Sequence, residues 1–197
     1  MLYKLNLEHI LFLDIETVPQ QQHFSDLDET AQLLWEQKTQ YQRKDEFTPE
    51  EFYDRAGIWA EFGKIVCISV GYFTLKGEHR NFRVTSFYGD EVKILKDFKQ
   101  LLSDHFSNVK HLLCAHNGKE FDFPYIARRM IINGINLLGI PSPKEDMDGS
   151  MVKDVFYKEN DLDRIVTYCE LDVVTTAQVF LRLRNEELLE DDDIKKI

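Results

Sequence analysis

The sequence predicts an α/β fold, a mixed sheet flanked by helices. Three features carry that expectation: a strand-length apolar run at 9–17 (HILFLDIET), two adjacent runs at 64–75 and 79–88 joined by a short KGE turn, and helical apolar spacing on either side of a further strand at 110–116 (KHLLCAH).

Residues 9–17 read as a buried strand because the run is short, rich in β-branched and aromatic residues, and ends in polar ones. The runs KIVCISVGYFTL and HRNFRVTSFY form a hairpin. Asp90 then caps a helix in which Val92, Leu95, Phe98, Leu101 and Leu102 recur at helical spacing. Between the first two strands, LDETAQLLWEQKTQY has helical apolar spacing, and Thr48-Pro49-Glu50-Glu51 is a capping box with Pro at the first helical position. This stretch is a helical insertion at about residues 20–58, and the chain is expected to be one domain over 1–197. A helix follows from Pro124 to about Gly134, Ser150 starts a short one, and Asp161 opens a long one through Arg184. Strand, insertion, hairpin, helix, strand, helix is the order of a ribonuclease-H-like sheet, in which three antiparallel strands meet strands parallel to the first.

Composition bounds the function. With 43% apolar and 12% aromatic residues, five Pro and nine Gly, the chain is an ordinary globular protein, not a fibrous or low-complexity one. The apolar run near the N-terminus is too short to span a bilayer and has no small-residue cleavage site, so neither a membrane partner nor export is expected. Cys67, Cys114 and Cys169 are far apart with no C-x-x-C pair, which suits a reducing, cytoplasmic address and predicts neither a disulfide framework nor a zinc site. A net charge of −11 disfavours tight binding of long duplexes, since non-specific affinity comes mainly from Lys and Arg. Part of that charge is EELLEDDD at 186–193, which reads as an acidic tail away from any motif.

Three motifs carry chemistry. In Asp14-Ile15-Glu16, side chains two apart on a strand share a face, so both carboxylates can leave the strand end toward one cluster of cations; the bland alternative is a solvated strand end. Asn117-Gly118-Lys119-Glu120-Phe121-Asp122 lies at a strand-to-helix junction, where free amides suit a phosphate or an ionised Asp. Asp122 can equally be an N-cap, two residues before Pro124, and Asn117 only a turn residue. In Tyr168-Cys169-Glu170-Leu171-Asp172, Tyr168 and Asp172 are four apart on one helix face, beside the stripe of Leu162, Ile165, Cys169, Val173 and Phe180; alone they could be a half-exposed Tyr on a solvated edge.

Taken together, D-x-E, N-x-x-x-F-D and Y-x-x-x-D, in that order on strand, junction and helix, resemble the DEDD exonuclease superfamily, in the tyrosine subclass seen in proofreading domains of family-B DNA polymerases. The chain resembles stand-alone, predicted polymerase-B-like 3′-to-5′ exonucleases, which share AEFGKIVCISVGY (60–72), GIPSPKEDMDGS (139–150) and NDLDRIVTYCELDVVTTAQ (160–178). The resemblance implies that Asp14, Glu16, Asp122 and Asp172 bind metal, that Tyr168 lies by the attacking water, and that Thr17, Asn117 and Phe121 meet the substrate near its terminal nucleotide. The histidine subclass would place His five residues before the last Asp, where this chain has Thr167. Relatives also carry a further segment, with a strand, before the GIPSP stretch. Here IINGIN runs almost directly into LLGIPSP, and an intact peptide between Asn136 and Leu137 would leave the sheet without its last strand.

The activity so implied is hydrolysis of the terminal phosphodiester at a free 3′ end, with single-stranded DNA the favoured substrate and nucleoside monophosphates the products. Two Mg²⁺ or Mn²⁺ ions fit an all-oxygen site. An aspartyl-nucleophile phosphatase is the rival enzyme, but that family wants Asp where Glu16 stands and a helical crossover to a parallel strand where this chain has a hairpin. A catalytically silent nucleic-acid-binding relative is the other, yet it would be free to lose a metal ligand and none is lost.

Overall fold

A computed structural model describes residues 2–44, 46–77, 79–136, 156–157 and 160–197 of the chain. Strand β1 (Ile10–Pro19) pairs antiparallel with β2 (Gly63–Lys76), and β2 antiparallel with β3 (His79–Tyr88). On the other side of β1 runs the parallel β4 (Leu112–Cys114), and outside β3 the parallel β5 (Ile194–Lys196), giving one mixed sheet in the order β4-β1-β2-β3-β5. Flanked by helices on both faces, this is the α/β, ribonuclease-H-like arrangement that the order of elements predicts.

Alternation along β1 decides which helix covers which face. Leu11, Leu13 and Ile15 point into a core with Ile65, Ile68 and Val70 of β2, and with α3 (Glu91–His105) and α4 (Asp122–Ile132). Ile10 and Phe12 point the other way, into a core with Phe73, Phe82, Val84 and the long helix that starts after residue 160. That helix, α5 (Leu162–Leu183), is capped by the Asp161 carboxylate on the Arg164 amide and buries Ile165, Cys169, Val173 and Ala177, four residues apart, against the sheet. Asp14 and Glu16 continue the Phe12 side of β1, so they leave the strand toward α5.

Two α-helices and two 3₁₀ segments lie between β1 and β2. Helix α1 (Glu29–Arg43) starts at an Asp28 cap, and α2 (Pro49–Phe52) starts at the Thr48–Glu51 capping box. Trp35, Phe52, Tyr53 and Phe62 form an aromatic cluster, and Trp35 donates its indole N–H to the Pro49 carbonyl at 2.8 Å. The 3₁₀ segment Tyr53–Ile58 lies on the end of β1: a Cβ on Gly57 would stand 3.1 Å from the Val18 backbone, and one on Gly63 only 2.2 Å from the Tyr125 hydroxyl. The approach at Gly63 requires glycine, and that at Gly57 leaves little room for more. A buried ion pair secures the opposite face, where Arg129 of α4 holds Glu91 of α3 at 2.8 and 2.6 Å and donates to the Ala60 carbonyl at 2.9 Å.

Three expectations need correction or fall outside the described residues. The stretch 186–193 is no free acidic tail: Glu186 pairs with Arg80 at 3.0 Å and with Arg184 at 2.6 Å, Leu189 is buried, and the chain then adds β5 to the sheet. Charge counting missed it because the partners of this segment lie about a hundred residues upstream on β3 or on the preceding helix. Helix α4 begins at Asp122, not Pro124. The short helix from Ser150, the GIPSP stretch and the junction between Asn136 and Leu137 lie outside the described residues. Among the described residues β4 is the outermost strand on its side of the sheet.

Candidate functional site

Asp14 and Glu16 stand two apart near the end of β1, with a register shift between Glu16 and Thr17 in the pairing with β2. A bulge there bends the strand end and turns its side chains. Ser69 and Cys67 are the β2 partners of Asp14 and Glu16, so the acids sit over a small polar floor. Glu16 is only 7% exposed and makes no hydrogen bond or ion pair among the described residues. From α5, the Cys169 thiol donates to the Asp14 carbonyl at 3.4 Å and to Asp14 Oδ2 at 3.5 Å, fixing the helix one turn before Asp172.

Asp122 arrives from the far side. It is the first residue of α4, the N-cap is Phe121, and Phe121 makes no side-chain cap bond. The Asp122 carboxylate instead accepts its own backbone amide and that of Ile15, the residue between the two strand acids. The capping alternative is therefore not what the side chain does: buried at 3% exposure, it joins α4 to β1.

The acids feel one another. Burial first, then the Asp122 and Asp172 carboxylates, push the Asp14 carboxyl up to about 8. Burial, then Asp14 and Asp172, push Glu16 up to about 9. Burial raises Asp122 to about 6, opposed by the two amides and by His116. Like charges gathered out of water oppose one another's ionisation unless a cation compensates. Carboxylates of this kind suit a divalent cation, and the ligand atoms of Asp14, Glu16 and Cys169, two carboxylates and a thiol, lie within 4.8 Å of one another.

Tyr168 is half-exposed beside this cluster and hydrogen-bonded to the Asp172 side chain, and that carboxylate, ahead of burial, raises its phenol above the ordinary range. Thr17 hydrogen-bonds the buried Tyr125, whose hydroxyl donates to the Gly57 carbonyl at 2.7 Å, so its position is fixed by the insertion. The Asn117 carbonyl accepts the Glu120 and Phe121 amides at 3.0 and 2.8 Å, which makes it a turn residue whatever its side chain meets. Phe121 stacks on Tyr125 at 5.3 Å between ring centroids and is partly buried in the α3–α4 core. The fold thus brings Asp14, Glu16, Asp122, Asp172 and Tyr168 to one place, whereas the contacts of Thr17 and Phe121 run to Tyr125 and those of the Asn117 backbone to the turn before α4. Sequence spacing gave no warning of Cys169 in the cluster. Its only signal was the position one residue after Tyr168 on the buried stripe.

A carboxylate cluster thus lies at the end of β1, the strand between β4 and β2 of a ribonuclease-H-like sheet, and such a cluster suits divalent cations. Residues 135–194, which include Tyr168 and Asp172, match a family described as a predicted 3′-5′ exonuclease related to the exonuclease domain of PolB. No match to a curated protein was found. Among the described residues no helix is long and apolar enough to cross a membrane.

Proposed function

We propose that the chain is a two-metal 3′-to-5′ exonuclease, acting as a single domain on nucleic acid with a free 3′ end, single-stranded DNA favoured, and releasing nucleoside monophosphates. The observation that carries this is the joining of four acids from three distant segments, with Asp14 and Glu16 pushed up to about 8 and 9, where cations would relieve the strain of gathering them. Asp14, Glu16, Asp122 and Asp172 are the residues to hold Mg²⁺ or Mn²⁺. When bound, such ions acidify water and neutralise the charge of the scissile phosphate.

The chain's own residues supply position. Asp122, tied to the Ile15 amide, holds its carboxylate between the strand acids. Tyr168, hydrogen-bonded to the Asp172 side chain and with an ordinary phenol pKa of ~10, is suited to orient the attacking water by a hydrogen bond more than to act as a free base. Water attacks the terminal phosphorus, the bond to the preceding 3′ oxygen breaks, and that oxygen takes a proton. By the family resemblance, Thr17, Asn117 and Phe121 are the residues to meet the terminal nucleotide. An aspartyl phosphatase is the weaker reading, since β1 pairs antiparallel with the next strand in sequence. The test is a nuclease assay on 3′-labelled single-stranded DNA and RNA, with Mg²⁺ or Mn²⁺ against chelator. Metal-dependent loss of label from DNA first supports the proposal, and no loss from either substrate refutes it.

A further inference from the structure

We infer that Asp14, Glu16 and Cys169 form a mixed carboxylate and thiolate site for one thiophilic divalent cation of the zinc and cadmium class. It rests on the proposed metal cluster for its consequence, which is competition with Mg²⁺ or Mn²⁺ for Asp14 and Glu16.

Geometry is the first support. An ion with bonds of ~2.3 Å to sulfur and ~2.0 Å to oxygen in tetrahedral arrangement separates those two ligand atoms by ~3.5 Å. Cys169 Sγ and Asp14 Oδ2 are 3.5 Å apart, and all three ligand atoms fall within 4.8 Å of one another. The second support is independent of the thiol. Glu16 is nine-tenths buried, faces this point and has no hydrogen-bond or ion-pair partner among the described residues. A buried acid in that condition gains from any cation. Behind them Cys67, the β2 partner of Glu16, hydrogen-bonds Cys169 and itself lies 3.7 Å from Ser69 Oγ.

Ligand softness sets the ion. Carboxylates alone favour magnesium or manganese, whereas a thiolate adds affinity for zinc and cadmium and little for magnesium. On binding, the Cys169 S–H bond breaks, its electron pair forms the sulfur–metal bond, and one proton leaves to water, with no change of oxidation state.

The probe is Co²⁺ added to the full chain, whose thiolate ligation gives a near-ultraviolet charge-transfer band. One band saturating at a single ion per chain is expected. It should persist in the Cys67→Ser/Cys114→Ser double variant, where Cys169 is the only thiol left of three. It should vanish in Cys169→Ser, in which Cd²⁺ affinity falls at least about tenfold while Mn²⁺ affinity falls less. No band in the double variant, an undiminished band in Cys169→Ser, or an equal fall for Mn²⁺ would each overturn the inference. Because absorbance needs no hydrolysis, a chain with the band and no nuclease activity would sink the exonuclease proposal alone.

Discussion

The Asp122 carboxylate accepts the backbone amide of Ile15, so an acid on α4 is fastened midway between the two acids of β1. Strand β4 pairs with β1 only as far as Phe12, and beyond that point, among the described residues, a side chain meets the β1 backbone. Asp122→Ala should therefore do two kinds of harm. It removes a ligand and leaves a buried amide unsatisfied, costing about 1–3 kcal/mol of stability in thermal unfolding. An unchanged melting temperature would mean that the bond to Ile15 contributes nothing.

Asp14→Ala or Asp172→Ala should lower hydrolysis at least about 10³-fold, some 4 kcal/mol of transition-state stabilisation, while the fold survives because like charges are relieved. The double variant should be hardly worse than either single one, as ligands acting as a unit are not additive. Single-turnover rates near normal in either variant would remove these residues from the reaction.

Tyr168→Phe should bind metal and substrate normally but turn over more slowly, because only the hydroxyl held by Asp172 is lost. Equal kcat for the two proteins would leave Tyr168 with a packing role.

Stability should depend on pH in an unusual direction. Folding raises Asp14 from 3.8 to about 8 and Glu16 from 4.5 to about 9, so it favours their protonated forms. Their contribution is full below about pH 4 and is lost as pH rises through about 8 and 9. With chelator present, the melting temperature should fall between pH 6 and pH 9, roughly, and saturating Mg²⁺ should flatten that fall, since binding is linked to proton release. A melting temperature that rises with pH in chelator would contradict the burial of these acids.

Arg129→Ala should destabilise the chain by about 3–5 kcal/mol, for it strands a nearly buried Glu91. Lys93→Ala, which breaks the exposed pair with Asp97, should cost under about 1 kcal/mol. Comparable losses from chemical denaturation of the two variants would show that burial does not distinguish them.

Local pattern made much of this legible. The alternation of β1, the Thr48–Glu51 box and the four-residue stripe of α5 each appear in the sequence because the forces that set them act within a few residues. What stayed hidden was long-range. Asp122 looked like a cap since nothing near it names Ile15 as its donor. Cys169 looked like core since its partner, Asp14, is 155 residues away. The 186–193 stretch looked solvated since the pairing of Glu186 with Arg80 spans 106 residues.

The half-length pairing of β1 also bears on self-association. From Leu13 to Pro19 this strand has β2 on one side and, among the described residues, no strand on the other; the Asp122 carboxylate on the Ile15 amide and the 3₁₀ segment against Val18 cover that edge instead. Its defences are two acids, a bulge and a terminal proline, all disfavoured in an extending ladder. The residues proposed to hold metal thus also disfavour an extending ladder at this edge, so neutral replacements at Asp14 and Glu16 should raise aggregation separately from any loss of catalysis.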